Sequence, residues 1–194
     1  MLAKNRIEAF SDGVIAIIIT IMVFDLKIQD IPEPFAATAL RDIALSLLPK
    51  LLSYTLSFLV IAIMWLNHHA LFDKIPHTDS ALIWYNMALL FTMSLIPLPT
   101  AFMAQHPTMY PAVMFYGIVM FLNALVFLLL RRYVEIHAKL LPYSPHIHRT
   151  NALASLFYFL SIPLAYISVF LSFVIFAFIP IWYFMPDRRK KRSG

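Results

Sequence analysis

Residues 6–24 join a polar, charged beginning to a long aliphatic run, and this combination limits how the chain can fold. The purely apolar part, residues 14–24, is too short to cross a hydrocarbon core of ~30 Å, because a spanning helix needs about 20 residues. A helix that spans must therefore run from about residue 7 to residue 28. Ser11 and Asp12 then lie inside the membrane zone, where an ionisable residue is costly unless paired and indicates a functional site.

The alternative is that Ser11 or Asp12 caps a shorter helix that starts at Gly13. The longer helix is favoured because the shorter one would not span. At 100° per residue, Asp12 points away from a stripe along one face of this helix. The stripe carries a single hydroxyl and consists of Phe10, Gly13, Val14, Ile17, Thr20, Ile21 and Phe24.

The composition predicts an all-α integral membrane protein. Hydrophobic residues make up 61% of the chain, charged residues 13%, and the mean hydropathy is +0.79. The absence of cysteine excludes disulfides and thiolate metal sites. The net charge of +5 arises from residues at helix ends and in the tail, which fits membrane orientation better than nucleic-acid binding. We expect the lipid bilayer, and no nucleic acid, as a partner.

The hydropathy pattern predicts one domain, residues 1–194, with six spans. Residues 151–185 carry no charge, and as one helix they would be ~52 Å long, far more than a bilayer needs. Two helices joined by a turn near residues 166–169 fit better than one helix broken at Pro163, which would reduce the count to five. The predicted spans are residues 7–28, 43–70, 80–104, 112–133, 150–166 and 169–185.

The distribution of basic residues predicts that both termini are cytosolic. With six alternating helices, three basic residues fall outside: Lys27, Arg41 and Lys50. The other twelve fall inside, as the positive-inside rule requires: Lys4, Arg6, Lys74, Arg131, Arg132, Lys139, Arg149, Arg188, Arg189, Lys190, Lys191 and Arg192. A five-helix chain would export the basic tail. The first apolar run carries Asp12 and has no cleavage site, so we expect it to be retained.

This topology brings polar residues from the first three helices to one level near the cytosolic face. They can satisfy one another in a buried network that fixes the rotation of the first helix. The alternative is that the histidines are simply solvated at the interface. The residues assigned to this network, together with the sequence motif at residues 6–12 that is described below, are Arg6, Phe10, Ser11, Asp12, Trp65, Asn67, His68, His69, His77 and Asn86.

Other kinds of site find little support in the sequence. The adjacent His68 and His69 diverge by about 100° on a helix and cannot share one metal. A haem held by His69 and His77 lacks further support, and no nucleotide-binding or zinc-protease motif occurs. We therefore expect no enzyme activity and no cofactor. Three glycines in the whole chain also exclude a carbonyl-lined filter, so any ion selection must come from side chains on a helix.

Arg6, Phe10, Ser11 and Asp12 fit the pattern R-x-x-x-F-S-D, followed by G-V-x-A-I. The chain resembles the transmembrane protein 175 family of bacterial and lysosomal potassium channels. The resemblance implies a homotetramer of six-helix subunits, a potassium pathway lined by the first helix, and motif residues that interlock with neighbouring helices. It also places the first hydrophobic ring five residues after the motif's aspartate, at Ile17, and a threonine layer at Thr20.

The pore hypothesis assigns Ile17, Thr20, Ile21 and Phe24 to stacked rings over ~10 Å, since they lie at i, i+3, i+4 and i+7. Potassium would bind near Ile17 and Thr20, while Phe24 either lines the pore or turns away. Judged from the residues alone, the stripe is more simply interpreted as a helix-packing surface than as a pore lining. The family resemblance favours the pore lining instead. The alternative function is a non-channel protein, either a small secondary transporter or a haem- or lipid-handling enzyme. We expect a multi-pass protein of a bacterial inner membrane.

Overall fold

The described residues, 3–26 and 37–184 of a computed structural model, contain α-helices and no strand. Seven α-helices follow one another, with a 3₁₀ turn at Met22–Asp25 after the first and a π-helical turn at Tyr133–His137 after the fifth. The helices are α1 (Lys4–Ile21), α2 (Ala37–Phe72), α3 (Ser80–Ser94), α4 (Pro97–Gln105), α5 (Tyr110–Arg132), α6 (Pro145–Ile167) and α7 (Val169–Phe184). The basic tail and the positions of Lys27, Ile28 and Met185 lie outside the described residues.

Within the described part of the chain, five segments are long and apolar enough to cross a bilayer. They are Lys4–Phe24, Ile43–Phe72, Ser80–Gln105, Tyr110–His137 and Pro145–Ile167. A sixth apolar helix, Val169–Tyr183, is shorter. The prediction of an all-α membrane protein is confirmed.

Prolines explain where several of these helices begin. Pro97, Pro111 and Pro145 lie at the first or second position of α4, α5 and α6, where a missing N–H costs nothing. The third predicted span is therefore two helices, α3 and α4, that meet at Pro97. Pro163 lies inside α6 and does not end it. The break between α6 and α7 falls instead at Ser168, whose backbone is extended.

Helix α5 lies at the centre of the bundle, against α3, α4 and α6, and α7 packs mainly on α6. A side chain at Gly117 would place its Cβ 2.7 Å from Ser161 Oγ, so glycine is needed there for α5 to approach α6 closely. The ring of Tyr116 packs edge-on against Phe176 of α7. Its hydroxyl accepts a hydrogen bond from Ser57 of α2, and this bond joins α2 to α5 inside the bundle.

Helix α1 lies at the edge of this bundle and packs mainly on α2 and α3. Its buried residues recur every three or four positions: Ile7, Ser11, Ile15 and Ile18. The buried face is therefore one side of a regular helix. The opposite side has no cover within the described subunit, and this asymmetry positions the candidate site.

Candidate functional site

The exposed side of α1 carries the stripe of large apolar residues. Phe10, Ile17, Ile21 and Phe24 are 54%, 58%, 47% and 71% exposed, and Thr20 is exposed between them. Val14, by contrast, is half-buried at the margin of the stripe. None of the described residues packs on the four large side chains as a core would, so a packing role among the described residues is excluded for them. Lipid, a second copy of the chain, or the lumen that several copies enclose can cover them.

Gly13 lies on the same exposed face. A Cβ built at this position would meet nothing within 4 Å. The glycine is therefore not required for packing inside the subunit. Because glycine has no side chain, nothing projects from the exposed face of α1 at this position, between Phe10 and Ile17.

The hydroxyl of Thr20 is oriented by its own helix. Its Oγ1 donates a hydrogen bond to the backbone carbonyl of Ile17 over 2.9 Å. Since a hydroxyl has one proton and two acceptor lone pairs, the proton is used inside the helix. What Thr20 offers to its surroundings is an oxygen acceptor, which suits a cation.

A chain of three hydrogen bonds holds the buried side of α1. His68 Nε2 on α2 lies 2.7 Å from Asn86 Oδ1 on α3, Asn86 Nδ2 donates to Ser11 Oγ over 3.0 Å, and Ser11 donates to the carbonyl of Ile7 over 2.8 Å. The amide oxygen of Asn86 can only accept, so His68 carries its proton on Nε2. Every proton in the chain then points toward α1. All three side chains are buried, and the chain joins α1, α2 and α3 at one level.

A second contact ties α1 to α2 at the surface. The indole Nε1 of Trp65 donates to Asp12 Oδ1 over 2.8 Å, and the Trp65 ring stacks on His69. Asp12 is exposed on the subunit. The carboxylate thus has a partner from α2, as a membrane-level charge requires, but it does not belong to the buried chain.

The structure does not bring the other predicted residues into either contact. Arg6 and His77 are exposed, and Phe10 belongs to the exposed stripe. Asn67 lies on a different side of α2, against α6 and α7. The reason is helical geometry: Arg6 and Asp12 are six residues apart, about 240° around the helix, so they cannot share one face.

Sequence reasoning missed a buried cluster at the end of α5. The carboxylate of Glu135, which lies beyond the predicted span 112–133, is buried. It forms an ion pair with Arg131 over 2.8 Å and accepts hydrogen bonds from His148 and from the backbone N–H of Ser144, over 2.9 and 3.0 Å. The i,i+4 spacing of Arg131 and Glu135 is the signal that would have extended this helix. The cluster fastens the start of α6 to the end of α5.

Asp79 was also missed, and it fixes the start of α3. Its carboxylate accepts from the backbone N–H of Leu82 over 2.7 Å and from the hydroxyl of Tyr133 over 2.7 Å. The Leu82 N–H is the main cause that lowers the pKa of Asp79. An aspartate before an apolar run is an N-cap signal that the sequence carries.

The described residues contain no group of three or more His, Cys, Asp or Glu side chains placed to hold a metal ion.

Comparison with known proteins shows what the chain as a whole is similar to. Residues 6–97 match the family model described as the endosomal/lysosomal potassium channel TMEM175. A protein named as a potassium channel from Chryseobacterium sp. (strain P1-3) is 32% identical, over 99% of this chain and 98% of its own. A second potassium channel, from Chamaesiphon minutus, is 34% identical over 87% of each chain. The crystal structure of a lysosomal potassium-selective channel TMEM175 homolog from Chamaesiphon minutus superposes with a TM-score of 0.80, at 32% identity, over 93% of this chain and 95% of that one.

Proposed function

The chain belongs to the TMEM175 family, and from this membership we propose that it is a potassium channel whose pore is lined by α1 in a homotetramer. Potassium ions are the permeant species and cross passively, without a cofactor. The proposed location is the inner membrane of a bacterium, in keeping with the bacterial relatives, with both termini in the cytosol.

The observation that carries the proposal is the uncovered stripe on α1. A single subunit cannot surround an ion path, whereas cyclic symmetry supplies the remaining walls from identical copies. The stripe differs from an ordinary lipid-facing surface because it includes an oriented hydroxyl at Thr20 between Ile17 and Ile21. It also lies on a different face of the helix from the buried hydrogen-bond chain, since Ser11 and Ile17 are about 120° apart around the axis.

The spacing of the stripe supports a constriction with two kinds of ring. Ile17 and Ile21 would form aliphatic rings, and a narrow aliphatic ring opposes hydrated ions and closes a pore by dewetting. Thr20 would form a ring of acceptor oxygens beside them. These oxygens replace part of the hydration shell of potassium, and because their protons are held by Ile17 carbonyls, they favour cations over anions.

The hydrogen-bond chain from His68 to Ser11 has a supporting role in this proposal. A pore ring selects ions only if the side chains keep one orientation, and helix rotation by one residue would move each ring by about 100°. Ser11 lies six residues, about 1.7 turns, before Ile17 on α1 and is fixed through Asn86. We assign to this chain the function of holding the rotation of α1.

The test is a planar bilayer recording of the purified protein under bi-ionic potassium and sodium. The expected result is a passive current whose reversal potential lies toward the potassium equilibrium potential. Native mass spectrometry in mild detergent should give the mass of four chains. A current that needs a coupled ion gradient would instead favour a transporter, and a monomeric mass would contradict the pore.

A further inference from the structure

A small, mainly apolar cavity with a few polar side chains lies between α2, α5, α6 and α7, away from α1 and its stripe. Its polar lining consists of Asn67 from α2, Asn151 and Tyr158 from α6, and Tyr183 from α7. The remaining lining residues are apolar. Neither the stripe nor the hydrogen-bond chain described above uses any of these four side chains.

Asn151 gives the cavity its chemistry. It is 3% exposed, and its Oδ1 accepts a hydrogen bond from the hydroxyl of Tyr183 over 2.9 Å. Its Nδ2 has no hydrogen-bond partner among the described residues. A buried amide donor without a partner costs on the order of 1–3 kcal/mol, and buried polar groups in folded proteins are therefore almost always paired.

The size of the cavity and the chemistry of its lining indicate which ligand can pair with Asn151 Nδ2. The unpaired atom is a donor, so the ligand must offer an acceptor, which excludes a cation. No charged side chain lines the cavity, and an anion would have nothing to neutralise it. The space open to the centre of a water molecule is ≈ 20 Å³, and one water needs about 10–15 Å³ of such space.

We propose that this cavity binds a single structural water molecule, which accepts from Asn151 Nδ2 and donates to the side-chain oxygen of Asn67. The water links α2 to α6 and, through the Tyr183 hydroxyl, to α7. Asn67 lies between Trp65 and His68 in the sequence, so the water fastens α2 at the level at which its other side holds α1. Helix α2 is then fixed from both sides, and the contact to α1 is made by a rigid element.

A double-mutant comparison tests the bridge, because no direct hydrogen bond joins Asn67 to Asn151 in the described part of the chain. The variants are Asn67→Leu, Asn151→Leu and the pair together, with the midpoint of thermal unfolding measured in detergent. If one water bridges both amides, the first substitution already releases it. The shift of the double variant should then be clearly smaller than the sum of the single shifts. Additive shifts would overturn the proposal.

Asn123 supplies the matched control. It is also fully buried with an unpaired amide, but it does not line the cavity. Asn123→Leu combined with Asn151→Leu should give additive shifts. If a leucine variant does not fold, Asn67→Ser and Asn151→Ser replace it in the same comparison.

A high-resolution map of the assembled protein provides the direct measurement. Density for one water within about 2.7–3.2 Å of Asn151 Nδ2 is the expected result. An empty cavity, in a map that resolves other buried waters, would refute the site.

Discussion

Asn86 Nδ2 on α3 donates a hydrogen bond to Ser11 Oγ on α1 over 3.0 Å, and neither side chain has any exposure on the subunit. The bond crosses 75 residues of sequence and connects the pore-lining candidate helix to the helix behind it. Asn86 also accepts from His68, so one amide holds two helices. Removing it takes away the acceptor of the buried His68 N–H and the donor to the buried Ser11 hydroxyl, which keeps its own bond to the Ile7 carbonyl.

We therefore expect Asn86→Leu to lower the free energy of unfolding by ~2–4 kcal/mol, since each stranded polar group costs about 1–3 kcal/mol. Thermal unfolding in detergent measures the loss. Thr92→Val is the control on the same helix, because the Thr92 hydroxyl bonds only to its own helix, at the carbonyl of Leu89. Equal shifts for the two variants would show that the chain from His68 to Ser11 does not stabilise the fold.

The sequence predicted those features of the fold that depend on the geometry of a single helix. The 3.6-residue period grouped Ile17, Thr20 and Ile21 on one face of the first helix, and in the structure these three side chains share the exposed face of α1. The uncharged length of residues 151–185 indicated two helices there, and the structure has α6 and α7. These features depend on local geometry, which the sequence contains.

Contacts between helices were less predictable. Arg6 and Asp12 are both charged and close in sequence, yet Asp12 pairs with Trp65 and Arg6 points elsewhere. The choice depends on the rotation and height of α2 relative to α1, which no local pattern encodes. Glu135 lies beyond the predicted span 112–133, whereas contacts with Arg131 and His148 bury it at the end of α5.

The cap of α3 gives a prediction for pH. The backbone N–H of Leu82, the largest cause, lowers the pKa of Asp79 below its ordinary value of 3.8. Because the folded pKa is lower than the unfolded one, the charged carboxylate stabilises the fold above about pH 4, and this stabilisation is lost as the pH falls through the folded pKa. The difference in unfolding midpoint between the wild type and Asp79→Ala should be full near neutral pH and shrink below about pH 4.

The control for this experiment is Asp73→Ala, which removes an exposed acidic side chain of the same loop without removing a helix cap. Its difference from the wild type should be smaller at neutral pH. If the Asp79→Ala difference stays constant down to pH values where all carboxylates are protonated, the charge of the cap contributes nothing.

For Asn123 on α5 we expect no loss of stability on substitution by leucine, in contrast to Asn86. Both polar atoms of its buried amide lack partners among the described residues. An apolar residue of similar shape removes that cost, so Asn123→Leu should leave the midpoint of thermal unfolding unchanged or raise it, by up to ~1–2 kcal/mol in free energy. Asn86→Leu, the same substitution at a paired amide, is the comparison. A large loss of stability for Asn123→Leu would mean that this amide has a partner.

The last prediction concerns the rings on α1. Ile17→Asn should wet the constriction and bring the potassium and sodium permeabilities closer together, because a polar ring no longer opposes hydrated ions. Thr20→Ala should weaken the preference for potassium with little loss of stability, since the hydroxyl bonds only to its own helix. The measurement is the shift of the reversal potential under bi-ionic potassium and sodium.

Ile181→Asn on α7 is the matched control, because Ile181 is 59% exposed and Ile17 is 58% exposed on the subunit. The two substitutions change the same side chain to the same amide at equal exposure, but only Ile17 lies on α1. A reversal potential that moves for Ile17→Asn and Thr20→Ala, and not for Ile181→Asn, assigns selection to the α1 stripe. If neither α1 variant moves it, the stripe is a contact surface between subunits or with lipid, and the ion path lies on another helix.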